Sequence, residues 1–133
     1  SESVARAALE DIRRVADLAP AEADFRAALG ETLVGLAKWQ EAVEELEAAR
    51  KLNEAKLPPT HPDQIHIRWQ RAKALVGMNR LDEAAAEFEV VYQNFAPLYG
   101  EKAPRCRELA RALADLASRR GDAEAQAKWR AKG

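Results

Sequence analysis

The chain has 133 residues, 47% of them hydrophobic, 32% charged and 6% aromatic. That is one domain able to bury its own core without a metal or disulfide staple, and its composition suits amphipathic helices better than a β-sandwich. Twenty-one basic against 22 acidic side chains, a net charge of −1, argue against a general nucleic-acid or anionic-membrane surface, and no apolar run approaches the ~20 residues of a membrane span.

In chain order, the first predicted helix spans 3–18 and carries Val4, Leu9, Ile12 and Val15. After Pro20 a second runs over 21–37, with Phe25, Leu29, Leu33 and Leu36 as its inner stripe. A third, at 40–56, adds Val43, Leu46 and Ala49, with the small Ala42 where two helices must approach closely. The stretch from Leu57 to Pro62 breaks the pattern. Thr60 is expected to cap the helix over 63–78, with Pro62 fixing φ in the first turn and Asp63 completing a capping-box arrangement. In that helix Ile65, Trp69, Ala72 and Val76 form an apolar stripe, while Arg71 sits where Leu29 and Leu113 sit in the other repeats. Such an arginine buries its methylenes and carries its charge to water or a carboxylate. The helix at 82–99 carries the aromatic stripe Phe88, Tyr92, Phe95 and Tyr99, read as core against the next repeat. The next, at 104–120, buries Leu109, Leu113 and Leu116; its Arg105, Arg107, Arg111, Arg119 and Arg120, interspersed with Glu108 and Asp115, read as a solvated, salt-bridged face. The last helix, 122–131, is polar except for alanines and Trp129 and reads as a terminal cap.

These elements repeat. Pro20, Pro62 and Pro104 are evenly spaced along the chain, Phe25, Ile67 and Leu109 keep the same interval, and Ala42 and Ala84 share it. One such unit cannot bury its apolar face alone, so neighbours must stack. The expected architecture is all-α: a solenoid of antiparallel helix pairs, about seven helices in all, with repeats at 20–61, 62–103 and 104–133. Residues 1–19 align with 43–61 as the second helix of a truncated repeat, and with a chain opening at Ser1 this points to a fragment of a larger protein.

The stretches 28–49 and 72–91, and more weakly 121–129, resemble the tetratricopeptide repeat family in its long form, similar to the repeats of kinesin light chains and bacterial signalling proteins. Leu29-Gly30 matches that family's Leu-Gly pair. Trp39 and Leu81 match the apolar residue before the Glu-Ala steps at Glu41-Ala42 and Glu83-Ala84, and His61-Pro62-Asp63 matches the opening of long-form repeats. The resemblance covers residues 20 to 131 and implies a right-handed superhelix whose concave face, lined by the first helix of each repeat, holds a partner's peptide. By register that face carries Asp24, Ala27, Glu31 and Val34, then His66, Trp69, Lys73 and Val76, then Glu108, Arg111, Asp115 and Arg119. Where kinesin-type repeats carry an Asn pair, only Gln70 keeps amide chemistry. The slots of the family's carboxylate clamp read Asp24, Ala27 and Glu31, which speaks against an adaptor for C-terminal tails.

Three functional readings follow. In the first, the chain is a non-catalytic protein-interaction module whose peptide groove comprises His66, Trp69, Gln70, Lys73, Arg111, Asp115 and Arg119, Trp69 being either an anchor or a packed side chain. In the second, it is a structural or self-association domain that forms a homodimer through Val4, Leu9, Ile12 and Val15. The third places it, by resemblance, as the C-terminal regulatory domain of a bacterial serine/threonine kinase. No catalytic residue, cofactor or metal is expected: nothing combines nucleophile, base and orienter, there is no Gly-rich phosphate loop, and His61, His66 and Cys106 do not make a metal set. A cysteine in the first turn of a helix can be acidified, but Cys106 reads as a small buried apolar residue. A protein or peptide partner, no nucleic acid or membrane, and a cytoplasmic location complete the expectation.

Overall fold

The computed structural model describes residues 2–18 and 22–133, the side chains of 12–18 excepted. Among these residues seven helices follow one another: α1 (Glu2–Leu18), α2 (Glu22–Gly35), α3 (Trp39–Glu54), α4 (Pro62–Gly77), α5 (Leu81–Tyr99), α6 (Pro104–Arg119) and α7 (Ala123–Lys132). Each packs against its neighbours in the chain, and α2 also meets α4 directly, whereas α4 and α6 are joined only through α5. That pattern is an all-α helical-repeat solenoid.

The period is written in the main chain as well as in the side chains. Each first helix ends in the same turn, with Ala37 (φ 58°), Asn79 (φ 59°) and Gly121 (φ 74°) in the left-handed region, each one period after the last. In each turn the next amide reaches back to close the helix: Lys38 N–H to Leu33 O, Arg80 N–H to Leu75 O and Asp122 N–H to Ala117 O, all at 2.9 Å. This is the Schellman arrangement, which satisfies carbonyls that the helix end would otherwise orphan.

Packing inside a repeat depends on small residues. Ala42 and Ala84 are fully buried at the two crossings, and a Cβ on Gly30 would lie 2.5 Å from Cγ of Leu46, so only glycine lets α2 and α3 close to this distance. Partly buried ion pairs tie the two helices of a repeat together. Arg26 Nη1 donates to Glu45 Oε2 at 3.0 Å and, one period later, Arg68 Nη1 donates to Glu87 Oε1 at 3.2 Å. Between repeats, buried Gln64 donates to the Arg50 carbonyl at 3.1 Å and accepts from Asn53 at 3.3 Å, pinning α4 to α3. The aromatic stripe of α5 is core through Phe88, Tyr92 and Phe95, while Tyr99 lies outside. Trp129 is buried edge-on against Tyr92, at a centroid separation of 5.0 Å, which docks α7 on the stack. Arg71 behaves as its position suggests: its guanidinium lies 3.5 Å from Glu87 and 3.8 Å from Glu47.

Local details differ from the expectation. Thr60 does not cap α4. Because Pro62 is the first helical residue, the cap falls on His61, whose Nδ1 accepts from the Asp63 amide at 3.1 Å. Leu36 is 40% exposed rather than part of the inner stripe, since α2 ends at Gly35 and the turn carries Leu36 away. α1 also departs from the side-chain register of the other second helices. Val4, one period before buried Leu46, is 69% exposed, and Leu9, one period before exposed Lys51, is 8% exposed against Leu29 and Leu33. No helix is described ahead of α1, so the face that Leu46 turns toward Gly30 has no counterpart at Val4.

Candidate functional site

The first helices of the repeats, α2, α4 and α6, leave recesses between them, backed by α3 and α5. Between α2 and α4 lies a recess of about 270 Å³. Its walls are Asp24, Ala27, Ala28 and Glu31 from α2 and Asp63, His66, Ile67 and Gln70 from α4, with Leu46 and Asn53 behind. Between α4 and α6 lies a second, of about 240 Å³, walled by Trp69, Lys73 and Val76 on one side and Glu108, Ala112, Asp115 and Leu116 on the other, with Phe88 of α5 as its floor. It shares Trp69 and Glu108 with a hollow of about 540 Å³ that His66, Tyr99, Pro104 and Arg105 also line.

The two recesses are the same place in successive repeats. Ala27, Glu31, Leu46, His66 and Gln70 of the first are replaced, one period on, by Trp69, Lys73, Phe88, Glu108 and Ala112 of the second. The backbone site is copied and its chemistry is exchanged: carboxylates and an amide in the first, an indole and a phenyl ring in the second.

Trp69 both packs and faces the recesses. It is half-buried, its ring meeting Phe95 edge-on at 5.9 Å and His66 at 6.5 Å, with Lys73 Nζ 5.4 Å from its centroid. His66 also approaches Glu31 across the first recess, Nε2 to Oε2 3.6 Å. Asp115 lies on the rim of the second recess, and Arg119 approaches it at 4.0 Å. Arg111 is not in this recess; it lines a third one with Arg130 and Gly133, between α6 and α7. Gln70 is 6% exposed, so it forms the floor of the first recess rather than an open contact. Val76, Phe88, Ala112 and Leu116 give the second recess its apolar character. Phe88 is signalled in the sequence only by its register with Leu46, and Ala112 only by being small where Gln70 is large.

Of the residues expected in a dimer contact, Val4 is exposed. Leu9 is instead a core residue of this chain, and the side chains of Ile12 and Val15 lie outside the described residues. Cys106 is fully buried, and burial pushes its thiol above the ordinary value, so the helix start does not acidify it. Among the described residues no group of three or more His, Cys, Asp or Glu is placed to hold a metal ion, and no helix is long and apolar enough to cross a membrane.

No protein-family model matches the chain, and no curated protein matches it. Solved structures do. Two are crystal structures of the nearly identical TPR-like repeats of a candidate kinesin light chain from Podosopora anserina, one of them a point variant. The variant matches over 93% of this chain with a TM-score of 0.80 and 20% identity, and the other over 86% with a TM-score of 0.68 and 20% identity. The fold is that of tetratricopeptide-like repeats. This chain spans 62% and 54% of the lengths of those two structures.

Proposed function

We propose that this chain is a non-catalytic protein-interaction module that holds a segment of a protein partner along the face formed by α2, α4 and α6. The observation that carries this reading is Trp69. A large aromatic that packs on one edge and lines an apolar-floored recess on the other is pre-organised as an anchor, losing little side-chain freedom on binding. Recesses of about 240 and 270 Å³ suit single side chains of a peptide better than a cofactor. The near-neutral charge favours a protein partner over a nucleic acid. Self-association through α1 has less support, because Leu9 is engaged in internal packing. Attachment to a kinase or another catalytic domain, and a cytoplasmic setting, are compatible with this reading and are not needed by it.

Selection of displayed random peptides on the immobilised protein tests it. Selected peptides should bind with micromolar Kd and weaken at least about tenfold on Trp69→Ala or Ala112→Asp, with Val4→Lys unchanged. Thermal melts of each variant separate lost binding from lost folding. Failure to enrich any peptide, or enrichment indifferent to both groove variants, would overturn the proposal.

A further inference from the structure

We infer that the segment held by this face pairs a basic side chain, seated in the recess between α2 and α4, with a bulky apolar one seated between α4 and α6. This deepens the interaction-module reading and rests on it. The first recess is walled by three carboxylates, Asp24, Glu31 and Asp63, with no lysine or arginine in its lining. The groups that approach two of them are histidines: His66 at 3.6 Å from Glu31 and His61 at 3.8 Å from Asp63. A second, independent observation marks it as a binding place. Gln70, 6% exposed, lines the recess, and its side-chain amide has no hydrogen-bond partner among the described residues. Its amide atoms are open to the recess and not sealed in the core, so its carbonyl oxygen can accept from a guanidinium or ammonium group seated beside the carboxylates.

The second recess selects differently. Its floor and walls are Phe88, Trp69, Val76, Ala112 and Leu116, which an aliphatic or aromatic side chain would cover. On the rim Lys73 faces Glu108 and Asp115, with Arg119 close to Asp115, so the charges nearly balance and the apolar lining decides the preference. Arg119 approaches Asp115, Arg120 donates to Asp82 at 2.7 Å, and Arg105 lies over the ring of Tyr99 at 4.8 Å. A polyproline-type segment brings every third side chain to one face at about 9 Å intervals, the shortest step that can carry two side chains into successive recesses on one face. The two side chains should therefore be separated by about two intervening residues.

Fluorescence anisotropy with labelled peptide pools tests the inference: Arg-X-X-Leu and Leu-X-X-Arg, with X randomised, against the same pools carrying Ser or Glu in place of Arg. One of the Arg pools should bind at least about tenfold tighter than its Ser counterpart and tighter still than its Glu counterpart. Asp24→Asn combined with Glu31→Gln should erase that margin without changing the Ser pool. Ala112→Asp should weaken every Leu-containing pool, and circular dichroism checks that both variants stay folded. If Ser or Glu pools bind as well as Arg pools and Trp69→Ala still abolishes binding, the basic side chain is wrong and the module reading stands. If no pool binds, both fall.

Discussion

Gly77 lies so close under the indole of Trp39 that a methyl group on its Cα would fall within the ring. Trp39 opens α3 and Gly77 closes α4, so this contact wedges the first repeat against the second. Gly35 is at the same place one period earlier and has nothing within 4 Å of where a Cβ would stand. The pair makes a controlled experiment. Gly77→Ala should cost about 1–3 kcal/mol by overpacking, whereas Gly35→Ala should be neutral or gain up to about 1 kcal/mol from helix propensity. Urea unfolding followed by circular dichroism measures both, and equal effects would refute the wedge.

The left-handed turns make a second comparison. Ala37 holds φ at 58° with a Cβ, at a backbone position that Gly121 occupies without one. Ala37→Gly should stabilise by about 1 kcal/mol, less the extra freedom glycine gains when unfolded, and Gly121→Ala should destabilise by a similar amount. Thermal melts in which Ala37→Gly lowers Tm would overturn this account of the turns.

Acid should weaken the fold partly through Glu47. Arg50 donates to its carboxylate at 2.6 and 3.2 Å, with Arg71 at 3.8 Å, and these cations hold its carboxyl below the ordinary 4.5. A depressed folded value means that its contribution is present above the unfolded pKa and is lost as pH falls through the folded one. The side chain is 31% exposed, so solvent screening limits the gain to about 1 kcal/mol. Glu47→Gln should therefore cost that much at neutral pH, and the gap to the wild type should close in the acid range. A gap independent of pH would assign the loss to packing.

Cys106 supplies a fourth readout. Fully buried and with its thiol pushed up by burial, it should react with a thiol-specific chromogenic reagent only as fast as the chain opens. Modification should be slow in buffer and immediate in denaturant. Fast labelling of the folded protein would place the side chain nearer the surface.

Much of this molecule was legible in its sequence because the repeat is carried by residues of distinctive chemistry. Pro62 and Pro104 stand at the first positions of α4 and α6, and Ala42 and Ala84 mark the crossings, so the helices fall within a few residues of their expected bounds. Register failed in α1: Val4 takes Leu46's place in the alignment and Leu9 that of Lys51, and their exposures are exchanged. The groove was legible as a list of positions and not as a cavity. Whether Trp69 is covered depends on how far α6 stands from α4, a distance set through α5 and Phe88 that no local pattern encodes. Gln70 reads as an exposed polar residue in isolation, and only the approach of α2 and α3 buries it.

The left-handed residue at 37, 79 and 121 carries a further implication. Each of these turns joins the two helices of one repeat with a similar left-handed φ, whether the residue is alanine, asparagine or glycine, so the hairpin within a repeat is set by the main chain. Ala27 can give way to Trp69 and Glu31 to Lys73 without disturbing how the two helices of a unit are joined. Rewriting a single wall should therefore alter what the molecule recognises while leaving each helical hairpin intact.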